Sequence, residues 1–227
     1  MPEPQRKMGN RLKTTRVLPV DPRAPEESAI QEAARLLKDG KLVAFPTDTL
    51  YGLGANATDR EAIEGVFSAK SRPQDKPLIV LARDLDMVEE WVEDISPLAR
   101  KLMDRFWPGP LTLIMIASGR FPLALTGHTR RIGIRVPDSL ISQSLLKATS
   151  LPLTASSANR AGGKDPIDAR AVWEELAGMI DLLLDGGPVA GKASTVLDLT
   201  LCPPRIIRPG PIPQHLLAEI VEGKIGP

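Results

Sequence analysis

The sequence predicts an α/β or α+β fold, a sheet with helices packed on it, and three observations carry that expectation. From about residue 26, short apolar runs alternate with amphipathic stretches. Runs such as Leu78-Ile79-Val80-Leu81 are apolar at every position, the mark of strands buried on both faces. The 22 prolines and 18 glycines in 227 residues imply many short connections rather than a helical bundle.

Glu26-Glu27-Ser28 opens a helical stripe through Ile30, Ala33, Ala34 and Leu37, which Gly40 stops. Leu42 to Phe45 is a short strand ended by Pro46, and Asp59 is placed to cap a helix holding Ile63, Val66 and Phe67. After the strand Leu78 to Leu81, helices are expected over 84–92 and 96–106, up to the breaker Trp107-Pro108-Gly109-Pro110. Asp84 and Asp86 then complement a helix N-terminus. Strands follow at Leu111 to Ala117, Ile132 to Val136 and Leu151 to Ala155, with helices over 139–148 and 168–177. Asp181 to Leu184, Thr195 to Leu199 and Arg205 to Ile207 complete the strands, and 213–222 forms a closing helix. No repeat or linker divides this stretch, so residues 26–227 are expected to form one domain.

Composition excludes several classes of function. With 42% hydrophobic residues and no apolar run near ~20 residues, the chain has enough apolar residues for a core but no spanning helix, and no membrane association is expected. Cys202 alone cannot form an internal disulfide, and with two histidines it leaves too few ligands for a Cys/His metal cage. The balance of 29 Lys+Arg to 28 Asp+Glu argues against a broad nucleic-acid-binding face. That balance is uneven. Residues 1–23 hold six cations and two carboxylates, a charge of +4, so the remainder carries −3 of the +1 total. Residues 1–25 are therefore read as a mobile, basic, Pro-rich tail, with an organelle presequence or a phosphate-attracting arm as sharper alternatives.

Five segments have chemistry worth weighing. Gly186 to Ser194 nearly spells a phosphate loop, but Ala193 stands where the Mg²⁺-binding hydroxyl belongs, and the strand-like Ser194-Thr195-Val196-Leu197 replaces the required helix. A glycine loop feeding a strand is the better reading. Pro46-Thr47-Asp48-Thr49-Leu50-Tyr51-Gly52-Leu53-Gly54 is a ligand-loop candidate at a strand end, where Thr47 and Thr49 offer hydroxyls; such residues are equally at home in a turn. Lys70-Ser71-Arg72-Pro73 leaves a helix for an extended X-Pro segment, so Lys70 and Arg72 could share a face as an anion clamp or simply complement the helix dipole. Ser157-Ala158-Asn159 follows a buried strand with polar groups that suit a ligand or a turn. Arg208-Pro209-Gly210 places an arginine at a strand end. No G-x-S-x-G elbow and no ligand-spaced histidine pair occurs. Physical chemistry alone thus reaches an α/β domain with cationic and hydroxyl loops suited to an anion.

Taken in order, Phe45 to Gly54, Lys70-Ser71-Arg72-Pro73, Trp107 to Thr112, Gly133-Ile134-Arg135-Val136-Pro137, Ser157-Ala158-Asn159, Ser194-Thr195-Val196 and Arg208-Pro209-Gly210 are more specific than any one of them. Together they resemble the YrdC family, the threonylcarbamoyl-AMP synthases, over about residues 27–213. The resemblance implies a twisted, mixed open sheet flanked by helices around a large concave basic cavity. It also implies a cytoplasmic nucleotidyltransferase that joins L-threonine, bicarbonate and ATP into threonylcarbamoyl-AMP and pyrophosphate. Mg²⁺ would accompany ATP through its phosphate oxygens, with no protein metal ligands. A partner complex would then transfer the threonylcarbamoyl group to adenosine beside the anticodon of tRNA. Carried over residue by residue, the resemblance assigns Lys70, Arg72, Thr112, Ser157, Asn159 and Arg208 to ATP, with Lys70 and Arg72 catalytic in offsetting charge as pyrophosphate departs. It assigns Thr47, Arg135 and Ser194 to threonine, with Arg135 pairing with the carboxylate.

Two departures stand out. Leu81 occupies the neighbourhood where many relatives carry histidine, and Asp48 stands where glutamate is frequent. Longer relatives continue past the Arg-Pro-Gly element into a linker and second domain, so a chain ending at Pro227 is expected to be the minimal single-domain form. Two alternatives stay open. A carbamoyl-adenylate domain of hydrogenase maturation would pair with cysteine-rich zinc modules, which a single cysteine does not supply. An RNA-binding module would use the basic surface for weak RNA binding, but four Phe, three Trp and one Tyr give it little to stack on.

Overall fold

A computed structural model describes residues 14–221 and 226. The strands form two mixed sheets rather than one. The first contains β1 (Arg16–Pro19), β2 (Val43–Pro46), β3 (Tyr51–Gly54), β8 (Ser156–Ser157) and β9 (Leu182–Asp185), in the order β1-β9-β2-β3-β8. The second contains β4 (Ile79–Leu81), β5 (Leu111–Ile116), β6 (Arg131–Arg135), β7 (Leu153–Thr154), β10 (Thr195–Asp198) and β11 (Arg205–Arg208), in the order β11-β10-β5-β6-β4-β7. Parallel pairs (β1 with β9, β5 with β10) sit beside antiparallel ones (β2 with β3, β5 with β6).

The expected strand over 151–155 is where the sheets meet. Leu153–Thr154 pairs in one sheet and Ser156–Ser157 in the other, while the Ala155 amide between them donates to the Ile79 carbonyl at 2.9 Å.

The helices follow from the sequence pattern. In α1 (Glu27–Lys38) the buried face is Ala29, Ile30, Ala33, Ala34 and Leu37. It packs with α5 (Leu140–Thr149) against β9 in a core containing Phe45, Leu145 and Leu182. The Asp59 carboxylate caps α2 (Arg60–Lys70) by accepting from the Glu61 and Ala62 amides. Asp84, Ser96, Ser139 and Asp168 likewise cap α3 (Leu85–Trp91), α4 (Pro97–Phe106), α5 and α6 (Ala169–Leu176). The closing helix α7 spans Gln214–Ile220.

The structure corrects two expectations. Residues 16–19, assigned to a mobile tail over 1–25, pair as β1 with β9, and the adjacent Thr15 hydroxyl donates to the Ile180 carbonyl at 2.7 Å. A half-exposed edge strand needs no continuous apolar run, so Arg16 and Pro19 hid it. The tail's cations Arg6, Lys7, Arg11 and Lys13 lie outside the described residues, as does residue 222 of the expected closing helix. Tyr51–Gly54 is a strand rather than part of a long loop, which shortens the loop to residues 47–50. Its two glycines, poor strand formers, disguised it; at Gly54 a Cβ would lie 2.4 Å from Phe45 Cε1, so only glycine fits. The near-phosphate loop does run without a helix into β10.

Candidate active site

A cleft opens between the sheets, with about 490 Å³ of space continuous with solvent. The hairpin tip gives Thr47, Thr49 and Leu50, β3 gives Tyr51 and Gly52, and β4 gives Ile79 and Leu81. Arg135 enters from the end of β6, Ser157 from β8, and Ser194 and Arg208 from the margins of β10 and β11. Ala155, Asp165 and Ala193 complete the wall. Thr47, Arg135, Ser157, Ser194 and Arg208 are thus brought together, whereas Lys70, Arg72, Thr112 and Asn159 are not among the lining residues.

The hairpin tip is locked by its own hydroxyls. Thr47 Oγ1 donates to the Leu50 carbonyl at 2.7 Å and accepts the Thr49 amide at 3.1 Å. Arg135 is tied into that tip: Nε donates to the Gly109 carbonyl and Nη1 to Thr49 Oγ1, each at 2.8 Å, while Nη2 pairs with the Asp48 carboxylate. Burial pushes the Arg135 pKa down and Asp48 pushes it back up. A buried guanidinium with its counterion in place is a rigid fixture rather than a free charge.

Arg208 differs. Its Nε donates to the Ser194 carbonyl and its Nη2 to Ser194 Oγ, both at 3.0 Å. Ser194 Oγ in turn lies 2.8 Å from Thr112 Oγ1, so the fully buried Thr112 acts on the cleft through Ser194. Among the described residues no carboxylate pairs with Arg208 at ion-pair distance. Burial lowers its pKa, Asp165 raises it, and Arg135 lowers it. The Arg-Pro-Gly turn has a steric reason, because a Cβ at Gly210 would lie 2.2 Å from the Thr195 amide nitrogen.

Lys70 and Arg72 each hydrogen-bond to backbone carbonyls, on different segments. Ser71 between them caps α2 in a left-handed conformation, φ +49°. Lys70 is buried, and its ammonium donates to the Ser157 carbonyl, to the Asn159 carbonyl at 2.5 Å and to Asn159 Oδ1 at 3.3 Å. Desolvation, then the charge of Arg72, pushes its pKa down to about 8. Arg72 folds back onto the carbonyls of Lys76 and Pro77, at 3.3 and 3.0 Å. The Ser-x-Asn element forms a clasp. Ser157 Oγ donates to Asn159 Oδ1 at 2.7 Å, while Asn159 Nδ2 donates to the Gly163 and Lys164 carbonyls at 3.0 and 2.9 Å.

Tyr51 and Asp165 were not singled out from the sequence. The Tyr51 hydroxyl donates to the Gly187 carbonyl at 2.7 Å and accepts the Gly186 amide at 3.2 Å, and burial raises its pKa. The Tyr51 amide also donates to the Pro166 carbonyl at 2.9 Å, so this residue links the hairpin to both neighbouring loops. Its place in the Thr-rich motif was visible, but its partners lie more than 100 residues away.

The arrangement offers cations, hydroxyls and a small apolar wall, with no nucleophile–base pair among the lining residues. It can bind and orient a small anionic or zwitterionic ligand and stabilise charge on it. Comparisons with known proteins bear on the family. The threonylcarbamoyl-AMP synthase of Pyrococcus abyssi is 41% identical over 197 residues, covering 86% of this chain and 58% of its own length. That of Bacillus subtilis is 40% identical over 212 residues, covering 91% of this chain and 59% of its own. The chain therefore spans less than two thirds of these relatives. The crystal structure of P. abyssi Sua5 complexed with L-threonine superposes with a TM-score of 0.90 at 39% identity, over 93% of this chain and 62% of that one. Full-length HypF, at 23% identity and a TM-score of 0.71, shares the fold alone. The family model Sua5/YciO/YrdC, described as "Telomere recombination", matches residues 35–210. By its sequence, its two sheets and the cleft between them, the chain belongs to the Sua5/YciO/YrdC family.

Proposed function

We propose that this domain is an L-threonylcarbamoyladenylate synthase, forming threonylcarbamoyl-AMP and pyrophosphate from L-threonine, bicarbonate and ATP. The supporting observation is a single cleft that gathers Arg208, the Arg135–Asp48 pair and the Thr47, Ser157 and Ser194 hydroxyls. The chemistry needs no enzyme nucleophile. The threonine amine takes up the bicarbonate carbon as a carbamate, an N–C bond replacing a C–O bond with loss of water, and a carbamate oxygen then attacks the α-phosphorus while pyrophosphate leaves. Catalysis is then positioning plus stabilisation of developing negative charge. Mg²⁺ enters with ATP as part of the substrate, bound by phosphate oxygens and water.

Within the proposal, Arg208 is the cation offered to the ligand and Arg135 is the brace that fixes Thr49 and the hairpin tip. Thr47 and Ser194 supply hydroxyls to threonine, and Ser157 to the nucleotide. Thr112 orients Ser194. Lys70 and Asn159 hold the Ser157 segment from behind, and Arg72 holds the chain entering β4. The product suits a downstream transferase complex acting on tRNA. No helix of the described residues is long and apolar enough to cross a membrane. Residues 14–221 form the catalytic body in this reading.

The test is incubation with MgATP, bicarbonate and each amino acid in turn, following pyrophosphate release. Release that requires both L-threonine and bicarbonate supports the proposal, and release indifferent to either overturns it. Strong RNA binding without ATP that falls steeply with salt would favour the RNA-binding reading instead.

A further inference from the structure

The loop from Gly186 to Ser194 nearly spells a phosphate loop, but it enters the proposed chemistry only through Ser194. It is fastened to the β2–β3 hairpin at two points. The Gly191 amide donates to the Thr49 carbonyl at 2.9 Å. At the loop's first turn, the Tyr51 hydroxyl donates to the Gly187 carbonyl at 2.7 Å and accepts the Gly186 amide at 3.2 Å. Gly187 has φ +78°, and its amide donates to Asp185 Oδ1 at 3.0 Å. At Gly186 a Cβ would lie 2.8 Å from both Pro46 Cγ and Ile141 Cδ1, so the loop leaves β9 pressed against the end of β2. Tyr51 is the single tyrosine of the chain and is fully buried. Phenylalanine would fill the same core space. What the hydroxyl adds is a hold on two backbone groups 135 and 136 residues away, in a loop with no helix or strand to satisfy them.

We propose that Tyr51 is a positioning residue for the amino-acid substrate: its hydroxyl sets the course of the Gly186–Ser194 loop, and thereby where Ser194 stands relative to the Thr47–Leu50 tip. This rests on the synthase reading and adds a residue to it. Both ends of the loop's influence fall on groups given to threonine there, Ser194 itself and the tip that carries Thr47. Ser157 and Arg208, given to the nucleotide and the ligand's charge, stand on β8 and β11, outside the loop. The Tyr51 hydroxyl is already engaged by the loop, so it acts through Ser194 and the tip rather than on the reacting atoms. Loosening the loop should therefore weaken threonine binding and leave ATP binding nearly as it was.

The experiment compares wild type with Tyr51→Phe, Gly187→Ala and the double variant. Tyr51→Phe keeps the ring and removes the hydroxyl. Gly187→Ala disturbs the same turn from the loop's side; its Cβ would meet nothing within 4 Å, so only the left-handed backbone is penalised. Each single variant should raise KM for L-threonine about three- to tenfold, the size of one lost hydrogen bond or one strained residue, with KM for ATP moving less than about twofold. In the double variant the threonine KM should stay within about twofold of the larger single effect, because both changes release the same contact. Kinetics are read at a temperature where circular dichroism shows each variant folded, and if Tyr51→Phe does not fold, Gly187→Ala alone still reads the split between threonine and ATP. A threonine KM unchanged in a folded single variant, KM values for threonine and ATP that rise together, or single effects that multiply in the double variant overturn the inference. Failure of the synthase reading is distinguishable, because wild type itself would then show no threonine-dependent pyrophosphate release.

Discussion

Lys70 Nζ donates to the Asn159 carbonyl at 2.5 Å, and in the proposed reading this contact makes the lysine a brace for the Ser157 segment. Lys70→Met keeps the apolar stem and removes all three donors. The carbonyls of Ser157 and Asn159 then lose a buried partner, which costs about 1–3 kcal/mol of stability. Turnover should fall at least tenfold because Ser157 loses its support. Denaturant unfolding together with steady-state kinetics checks both. A variant with lower turnover but wild-type stability would return Lys70 to a direct phosphate contact.

The same lysine sets a pH dependence. With its pKa pushed down to about 8, the folded protein sheds the Lys70 proton between about pH 8 and the ordinary lysine value of 10.5, while the unfolded chain still holds it. Where the unfolded state binds more protons, stability rises with pH. Burial therefore penalises folding fully below pH 8, and the penalty is relieved above it. Unfolding free energies measured from pH 7 to 10 should show wild type gaining relative to Lys70→Met. Activity should decline over the same range, since the neutral amine has two donors for three acceptors.

Arg208 holds Ser194 with two donors of a rigid fork, and lysine cannot reproduce that geometry. Arg208→Lys is expected to lose roughly ten- to hundredfold in kcat/KM for threonine and to fold normally, as the side chain is only part-buried. Kinetics and circular dichroism on the purified variant separate these effects.

Removing Asp48 leaves Arg135 buried without its counterion. Asp48→Ala should destabilise the domain by about 3–5 kcal/mol, the usual consequence of breaking a buried pair from one side. Asp48→Glu should recover part of this loss. Thermal unfolding of the two variants tests the pairing.

The strongly patterned parts of the chain were legible in the sequence. The α1 stripe, the Asp59 cap and the all-apolar Leu78 to Leu81 each follow from one local rule. What escaped was set by distant partners. β1 is a strand because β9 lies beside it, and β8 because Ser156 and Ser157 face Leu53 and Gly52. At the site, Arg135, Ser157, Ser194 and Arg208 were legible because strand ends deliver side chains to one rim. The direction of Lys70 was not. Local spacing shows a lysine and an arginine flanking a helix end, but not the Ser157 and Asn159 carbonyls that Lys70 reaches 87 and 89 residues away. Asp165 carries no local signal at all, since it reaches the cleft on a loop fastened by the distant Asn159 and Tyr51.

The most direct measurement supplies ¹³C-bicarbonate with L-threonine and MgATP and weighs the adenylate formed. The account predicts an AMP ester whose acyl group contains threonine plus one labelled carbon, formed together with pyrophosphate. An adenylate of threonine without the labelled carbon, or ATP left intact, would contradict it.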